Sequence, residues 1–392
     1  MKICFAVCEY NPFHNGHYRH IGIIKNEIRP DVLAVIMSGN FTQRGETAIA
    51  DKYTRATHAI KAGADVVIEL PTVFATAPAE IFAKGAMKII NAIDGEKVLC
   101  FGTESGDKTS IMNTAAALLE ENDEIKALIK AELKTGVSQV RAKANALKKA
   151  GAENVDPDLI NAPNNILGIE YAKAAITSGS SVELYPVIRE GAAYNEKELK
   201  DVPSALSIRT AIGNGEKKKV ARVVPKFVYD DLPEELPSMD DVIFYSALST
   251  PESEMKKITD CTEGLENRIK AFAKTCGSAN ELKEKVKTKR YTYTRISRIL
   301  LASALKTTEV FTKKCLNSKL YLKILAIRKD DGQLLSYLSK NSAYPIITRK
   351  SDAEKLGKTA AECFEKDVFA NDLYNYISGK KRSAFDMKII EE

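Results

Sequence analysis

Tryptophan is missing from all 392 residues, and histidine occurs only four times, at positions 14, 17, 20 and 58. No run of about 18 apolar residues is present and no basic stretch leads into an apolar one at the start, so neither a membrane span nor a secretory leader is expected. The expected compartment is therefore the cytoplasm. The cysteines (4, 8, 100, 261, 276, 315 and 363) are odd in number and show no CxxC spacing, which argues for reduced thiols, mostly in the core. Cys4, Cys8, His14 and His17 could be forced into a zinc site, against which stands the place of Cys4 inside an apolar strand. What is present is an ordinary globular composition, 44% apolar and 28% charged, on a chain long enough for two or three domains.

All four histidines fall in the first sixth of the chain, three of them in the stretch KICFAVCEYNPFHNGHYRH at 2–20. A short apolar run from Ile3 to Val7 gives way to the turn formers Asn11, Pro12, Asn15 and Gly16. A helical pattern then places Ile21, Ile24 and Ile28 on one side. The beginning of a helix that follows a strand offers unpaired N–H groups and the positive end of the helix dipole, so it suits anions. His14 and His17 project from that first turn with Gly16 between them, a spacing that fits donation to phosphate oxygens. The same pair could instead be a capping feature.

Apolar strands alternate with helical patterns through the first 105 residues. Strands are expected at 2–7, 32–37, 65–70 and 97–102, and helices at about 17–28, 51–62 and 78–93. This order predicts an α/β fold, a doubly wound parallel sheet with ligands beyond the carboxyl ends of its strands. Residues 107–150 read as a helical insertion, and a fifth strand is expected at 181–188.

Several loops then stand where a ligand would. In MSGNFTQRGE, Ser38, Asn40 and Arg44 could meet a phosphate or a carboxylate, with Gly39 and Gly45 letting the backbone wrap around it; the plain alternative is a polar connection before a helix capped by Asp51. FGTES puts Gly102 at a strand end, PNNILGIEY puts Asn164 at a helix start, and VIRE delivers Arg189. Ser204, Ser207 and Arg209 of SALSIR make a triphosphate cradle at another helix start.

Charge is unevenly placed. From Lys283 to Lys329 there are ten Lys and four Arg against Glu284 and Glu309, a local charge of 14 − 2 = +12, so the rest of the chain is 6 − 12 = −6. Such segregation suits a polyanion, and Tyr291, Tyr293 and Tyr321 interleave with it as possible base-stacking surfaces. From about residue 220 the pattern is one of helices and short loops. In TYTRISRILL the stripe Ile296, Ile299, Leu300 and Ala304 is apolar, and Arg295 and Arg298, lying off it, are expected to face solvent.

The motif His14-Asn15-Gly16-His17 resembles the HxGH signature of a nucleotidyltransferase superfamily. Taken with MSGNFTQRGE, FGTES, PNNILGIEY, VIRE, SALSIR and RYTYTRISRILL, in that order, the chain resembles the bacterial tRNA(Met) cytidine acetate ligase family. The last sixty or so residues match nothing distinctive.

The resemblance implies a Rossmann-like catalytic domain at 1–215 and a mainly helical, basic, tRNA-binding domain at 216–392. It implies ATP as co-substrate, magnesium with it, and acetate and elongator tRNA(Met) as partners. It carries catalysis to His14 and His17. It carries ATP binding to Val7, Cys8, Glu9, Tyr10, Asn11, Pro12, Phe13, His14, Asn15, Gly16, His17, Tyr18, Arg19 and His20, together with Gly102, Asn164 and Arg189. Lys289, Arg290, Arg295 and Arg298 are the expected tRNA contacts, and no resident metal site is read. Two alternatives are a small-molecule adenylyltransferase and a non-catalytic, nucleotide-sensing RNA-binding protein.

Overall fold

Five parallel strands form the centre of a computed structural model that describes residues 1–119, 123–135, 137, 139–150, 159, 162–189, 204–330 and 332–391. They are β1 (Lys2–Cys8), β2 (Val32–Ser38), β3 (Val66–Leu70), β4 (Glu96–Thr103) and β5 (Glu183–Ile188), in the spatial order β5-β4-β1-β2-β3. Every residue of β2 and β3 is buried because helices cover both faces, which is why these segments read as unbroken apolar runs. Ile21, Ile24 and Ile28 are buried beneath one such helix, as their spacing predicts.

The chain winds from β1 outward to β3 and then crosses back, so that β4 pairs with the other edge of β1. The direction of winding therefore reverses beside β1, and the loops leaving β1 and β4 diverge there to leave a crevice. The His14 loop leaves β1 at that point, and Gly102 lies at the end of β4.

Three strands escape the helical reading of the region beyond residue 220. β6 (Leu322–Arg328) pairs antiparallel with β3, and β7 (Ile346–Ile347) and β8 (Lys388–Ile390) pair with β6. Strand β6 carries Lys323 fully buried, its Nζ donating to the Asp386 carbonyl at 2.7 Å, and that embedded charge disguised an apolar strand as part of a basic face. The +12 segment is accordingly not one surface. Tyr321 is also interior, bonded to Asp367 at 2.5 Å, and cannot stack on a base.

Between about residues 239 and 305 the chain builds a separate helical core in which Ile296, Ile299, Leu300 and Ala304 are buried, as expected from their stripe. Phe41 joins this core. The loop after β2 leans on the same module: Gly45 adopts φ +74°, and a Cβ there would meet the Ser297 backbone at 2.4 Å. Gly39 likewise faces Glu69, at 2.5 Å from where its Cβ would stand. Both glycines thus serve close packing against protein and not a wrap around a ligand.

All seven cysteines are free thiols, five of them buried. Among the described residues no helix is long and apolar enough to cross a membrane.

Candidate active site

His14 is the N-cap of helix Asn15–Ile23, in extended conformation. Its Nδ1 accepts from the Gly16 N–H at 3.1 Å, while the His17 Nδ1 accepts from the His14 N–H at 3.3 Å. A ring nitrogen that accepts cannot carry the proton, so both neutral imidazoles are fixed as Nε2–H tautomers. The rings stack with centroids 3.8 Å apart, and Tyr10 and Phe13 pack around His17. One arrangement thus caps the helix and keeps donors available: the backbone occupies each Nδ1, and each Nε2–H is left as a donor on rings that line the crevice.

Burial pushes the His14 imidazole down to about 3 and His20 to about 4, with the Arg189 guanidinium adding to the effect. His17 is held well below its ordinary value by burial and by His14. These bases stay neutral in the folded chain but titrate near 6.5 when unfolded. The unfolded chain therefore binds more protons as the pH drops below about 6.5, and the stability present above that value is lost toward acid. Calorimetry is expected to show the unfolding midpoint falling from about pH 7.5 to about pH 5, and falling less in His20→Gln. An identical pH slope in the variant would contradict this.

Around the imidazoles the crevice gathers groups from every strand end at the reversal point. Val7, Cys8, Glu9, Tyr10, Asn11, Gly16, Arg19 and His20 come from the first strand and helix; Gly102, Asn164 and Arg189 come from the opposite side. Gly102 has a steric reason: a Cβ would lie 2.9 Å from the Arg189 Cγ, so the arginine stem can cross only a glycine. The Asn164 amide donates to the Glu104 carboxylate at 2.6 Å, and that carboxylate also accepts the Asn165 N–H at 2.9 Å, anchoring the helix start to the end of β4. Glu190, the last residue of VIRE, lies outside the described residues.

Arg44, Ser204 and Arg209 also line it. Arg209 is aimed by two bonds, to the Asn11 carbonyl at 2.8 Å and to Glu46 at 3.0 Å. Ser204 caps its helix by accepting from the Ser207 N–H at 3.0 Å.

Other expected residues lie off the crevice. Phe13 is core, Asn15 reaches back to the Arg222 carbonyl, Tyr18 is exposed, and Pro12 follows a cis peptide outside the lining. Ser38 is fully buried, Asn40 accepts from the Lys52 N–H, and Ser207 turns inward to donate to the Ser204 carbonyl. Arg295 and Arg298 do not face solvent: the first donates to the Asp260 carbonyl at 2.8 Å and the second to its carboxylate at 3.5 Å. Arg290 is exposed but paired with Glu263, and Lys289 is exposed.

Sequence reasoning missed Arg55, which is fully buried and donates to the carbonyls of Glu9, Ser38, Gly39 and Ala50. It fastens the ends of β1 and β2 together. Gln43 and Tyr171 on the lining were also missed. No three His, Cys, Asp or Glu side chains among the described residues converge as metal ligands.

The family pattern described as HIGH Nucleotidyl Transferase matches residues 1–387. A protein of Acetivibrio thermocellus named tRNA(Met) cytidine acetate ligase is 38% identical over 393 residues, 95% of this chain and 94% of that one. A protein of the same name from Thermoanaerobacter sp. is 37% identical over 385 residues, 95% of each chain.

The chain belongs to the tRNA(Met) cytidine acetate ligase family of HIGH nucleotidyl transferases. The crystal structure of apo Thermotoga maritima TmcAL superposes with a TM-score of 0.93 at 30% identity, covering all of both chains. The same protein bound with alpha-thio ATP gives a TM-score of 0.90 at 30% identity, again over all of both chains. The fold expected from the strand and helix pattern is thus that of this family.

Proposed function

We propose that the crevice condenses ATP with acetate to give acetyl-adenylate and pyrophosphate, and that the N4 amine of the wobble cytidine, C34, of elongator tRNA(Met) then takes the acetyl group. The observation that carries this reading is the pair of neutral imidazoles, each locked with Nε2–H as donor, in one crevice with Arg189 and Arg209. Relatives over nearly the whole chain carry the ligase name, and the structural neighbour binds an ATP analogue.

In this mechanism the two imidazoles and the helix start donate to phosphate oxygens as acetate attacks the α-phosphorus, stabilising charge that grows in the transition state. Arg189 and Arg209 would neutralise the departing pyrophosphate, and Arg44 would orient the acetate carboxylate. No covalent enzyme intermediate is needed, because the adenylate already carries its leaving group. Magnesium would travel on the nucleotide. Glu9 is the single carboxylate among the described lining residues, so the phosphate oxygens would supply most of the ion's ligands.

Function is proposed to divide between residues 1–215, which carry the five parallel strands, and a tRNA-holding part within 216–392, in a cytoplasmic enzyme. Of the expected tRNA contacts, Lys289 is the exposed cation for which no carboxylate partner is found among the described residues. Lys289→Glu is expected to weaken tRNA binding and lower the salt slope by about 1, with adenylate formation intact. An unchanged slope in filter binding would remove Lys289 from the interface.

The test of the whole reading is pyrophosphate release that requires acetate and rises when tRNA(Met) transcript is added. Release that requires a phosphorylated metabolite instead would favour the small-molecule adenylyltransferase, and an absence of any release would favour a nucleotide sensor.

A further inference from the structure

We propose that the Glu9 side chain receives the N4 amino group of the cytosine and takes its proton during acyl transfer; this rests on the function proposed above. Among the described residues of the crevice Glu9 is the one carboxylate, set among Arg19, Arg44, Arg189 and Arg209. Arg209, Arg44 and the Gln43 N–H already offset part of its charge; because a carboxylate repels a triphosphate, the substrate group it suits is a donor. An exocyclic cytosine amine is such a donor, and carboxylates accept from it in nucleic-acid recognition.

Its position supports this choice. Glu9 Oε1 accepts the Gln43 N–H at 2.7 Å, and its other oxygen makes no hydrogen bond among the described residues. Arg55 fixes the Glu9 carbonyl at 2.6 Å, so the side chain springs from a rigid point. Burial raises the Glu9 carboxyl above its usual range, which makes it a stronger base than a solvated glutamate.

The neighbourhood also points toward the helical module. Glu46, which pairs with Arg209, is close enough to Lys283 and Tyr293 to shift their titration, and Gly45 abuts the Ser297 backbone. Through its bond to Gln43, Glu9 is thus joined to the same loop that packs on the helical module, while the imidazoles stand at the helix start.

In the proposed step the N4 lone pair forms a bond to the acetyl carbonyl carbon. The bond from that carbon to the phosphate oxygen breaks, and its electron pair leaves with AMP. The N4 proton passes to the other oxygen of Glu9, the one not bonded to Gln43, and from there to solvent.

Glu9→Gln keeps an oxygen for Gln43 but no basic carboxylate. The two half-reactions are measured apart, as acetate-dependent ATP–pyrophosphate exchange and as single-turnover transfer of labelled acetyl to tRNA(Met) transcript. Transfer is expected to slow roughly a hundredfold or more, and by at least about tenfold more than exchange does. Glu9→Asp, which keeps the carboxylate on a shorter stem, is expected to recover part of the transfer rate and so excludes a folding defect. Equal losses in both half-reactions would mean that Glu9 serves the nucleotide, and transfer at the unaltered rate would mean that it serves neither; both overturn the proposal. Exchange that needs no acetate in the unaltered protein would remove the underlying function, a failure distinguishable from either.

Discussion

His17→Ala is expected to reduce acetate-dependent adenylate formation by roughly a hundredfold to a thousandfold, the loss typical of removing one preorganised donor from a developing anion, while tRNA affinity stays nearly unchanged. The locked Nε2–H tautomer is the reason for so large an effect. A donor already oriented by its Nδ1 bond needs no reorganisation when charge appears on the phosphate. His14→Ala removes a second such donor and also a helix cap, so it is expected to add a stability loss of about 1 kcal/mol. Exchange kinetics alongside a thermal melt separates the two effects. His17→Ala with an unaltered exchange rate would show that the ring merely caps its helix.

Glu69→Ala is expected to lower the free energy of unfolding by roughly 3–5 kcal/mol, since it leaves the buried Lys52 ammonium without the carboxylate it is bonded to. Both side chains of this pair are about 1% exposed, and Nζ lies 2.8 and 2.7 Å from the two carboxylate oxygens. The pair ties β3 to the helix that begins at Lys52, next to the loop carrying Asn40. Replacing both partners together, as Lys52→Met with Glu69→Leu, is expected to restore most of the loss, because neither desolvated charge then remains. Urea denaturation reads the difference as a shift in midpoint at constant slope. A Glu69→Ala midpoint equal to that of the unaltered chain would contradict the burial of this pair.

The parallel half of the sheet was legible because buried parallel strands write themselves as continuous apolar runs: VLAVIM and DVVIEL needed no tertiary information. The lining of the crevice was legible where residues lie on strand ends and helix starts, as with His14, His17, Gly102 and Arg189. Ser38, Asn40 and Ser207 could not be told from ligand groups, since a polar residue in a loop serves a cap or a substrate equally well until its partner is known. For Asn40 that partner is the Lys52 N–H, and for Ser207 it is the Ser204 carbonyl of its own helix cap.

The basic segment misled for a related reason. A charge count along the chain carries no direction, and Lys323 and Arg295 each spend their charge on a carbonyl inside the protein. Arg55 left no signal at all: a lone arginine in an amphipathic helix looks solvated, and only the convergence of β1 and β2 on it reveals four carbonyls needing a donor.

The most direct measurement is mass spectrometry of nucleosides from tRNA(Met) incubated with the protein, ATP and acetate. One added acetyl group on cytidine at the wobble position, absent when ATP or acetate is withheld and strongly reduced with His17→Ala, is the predicted result. Unmodified cytidine under conditions where the protein binds both ATP and the tRNA would contradict the account.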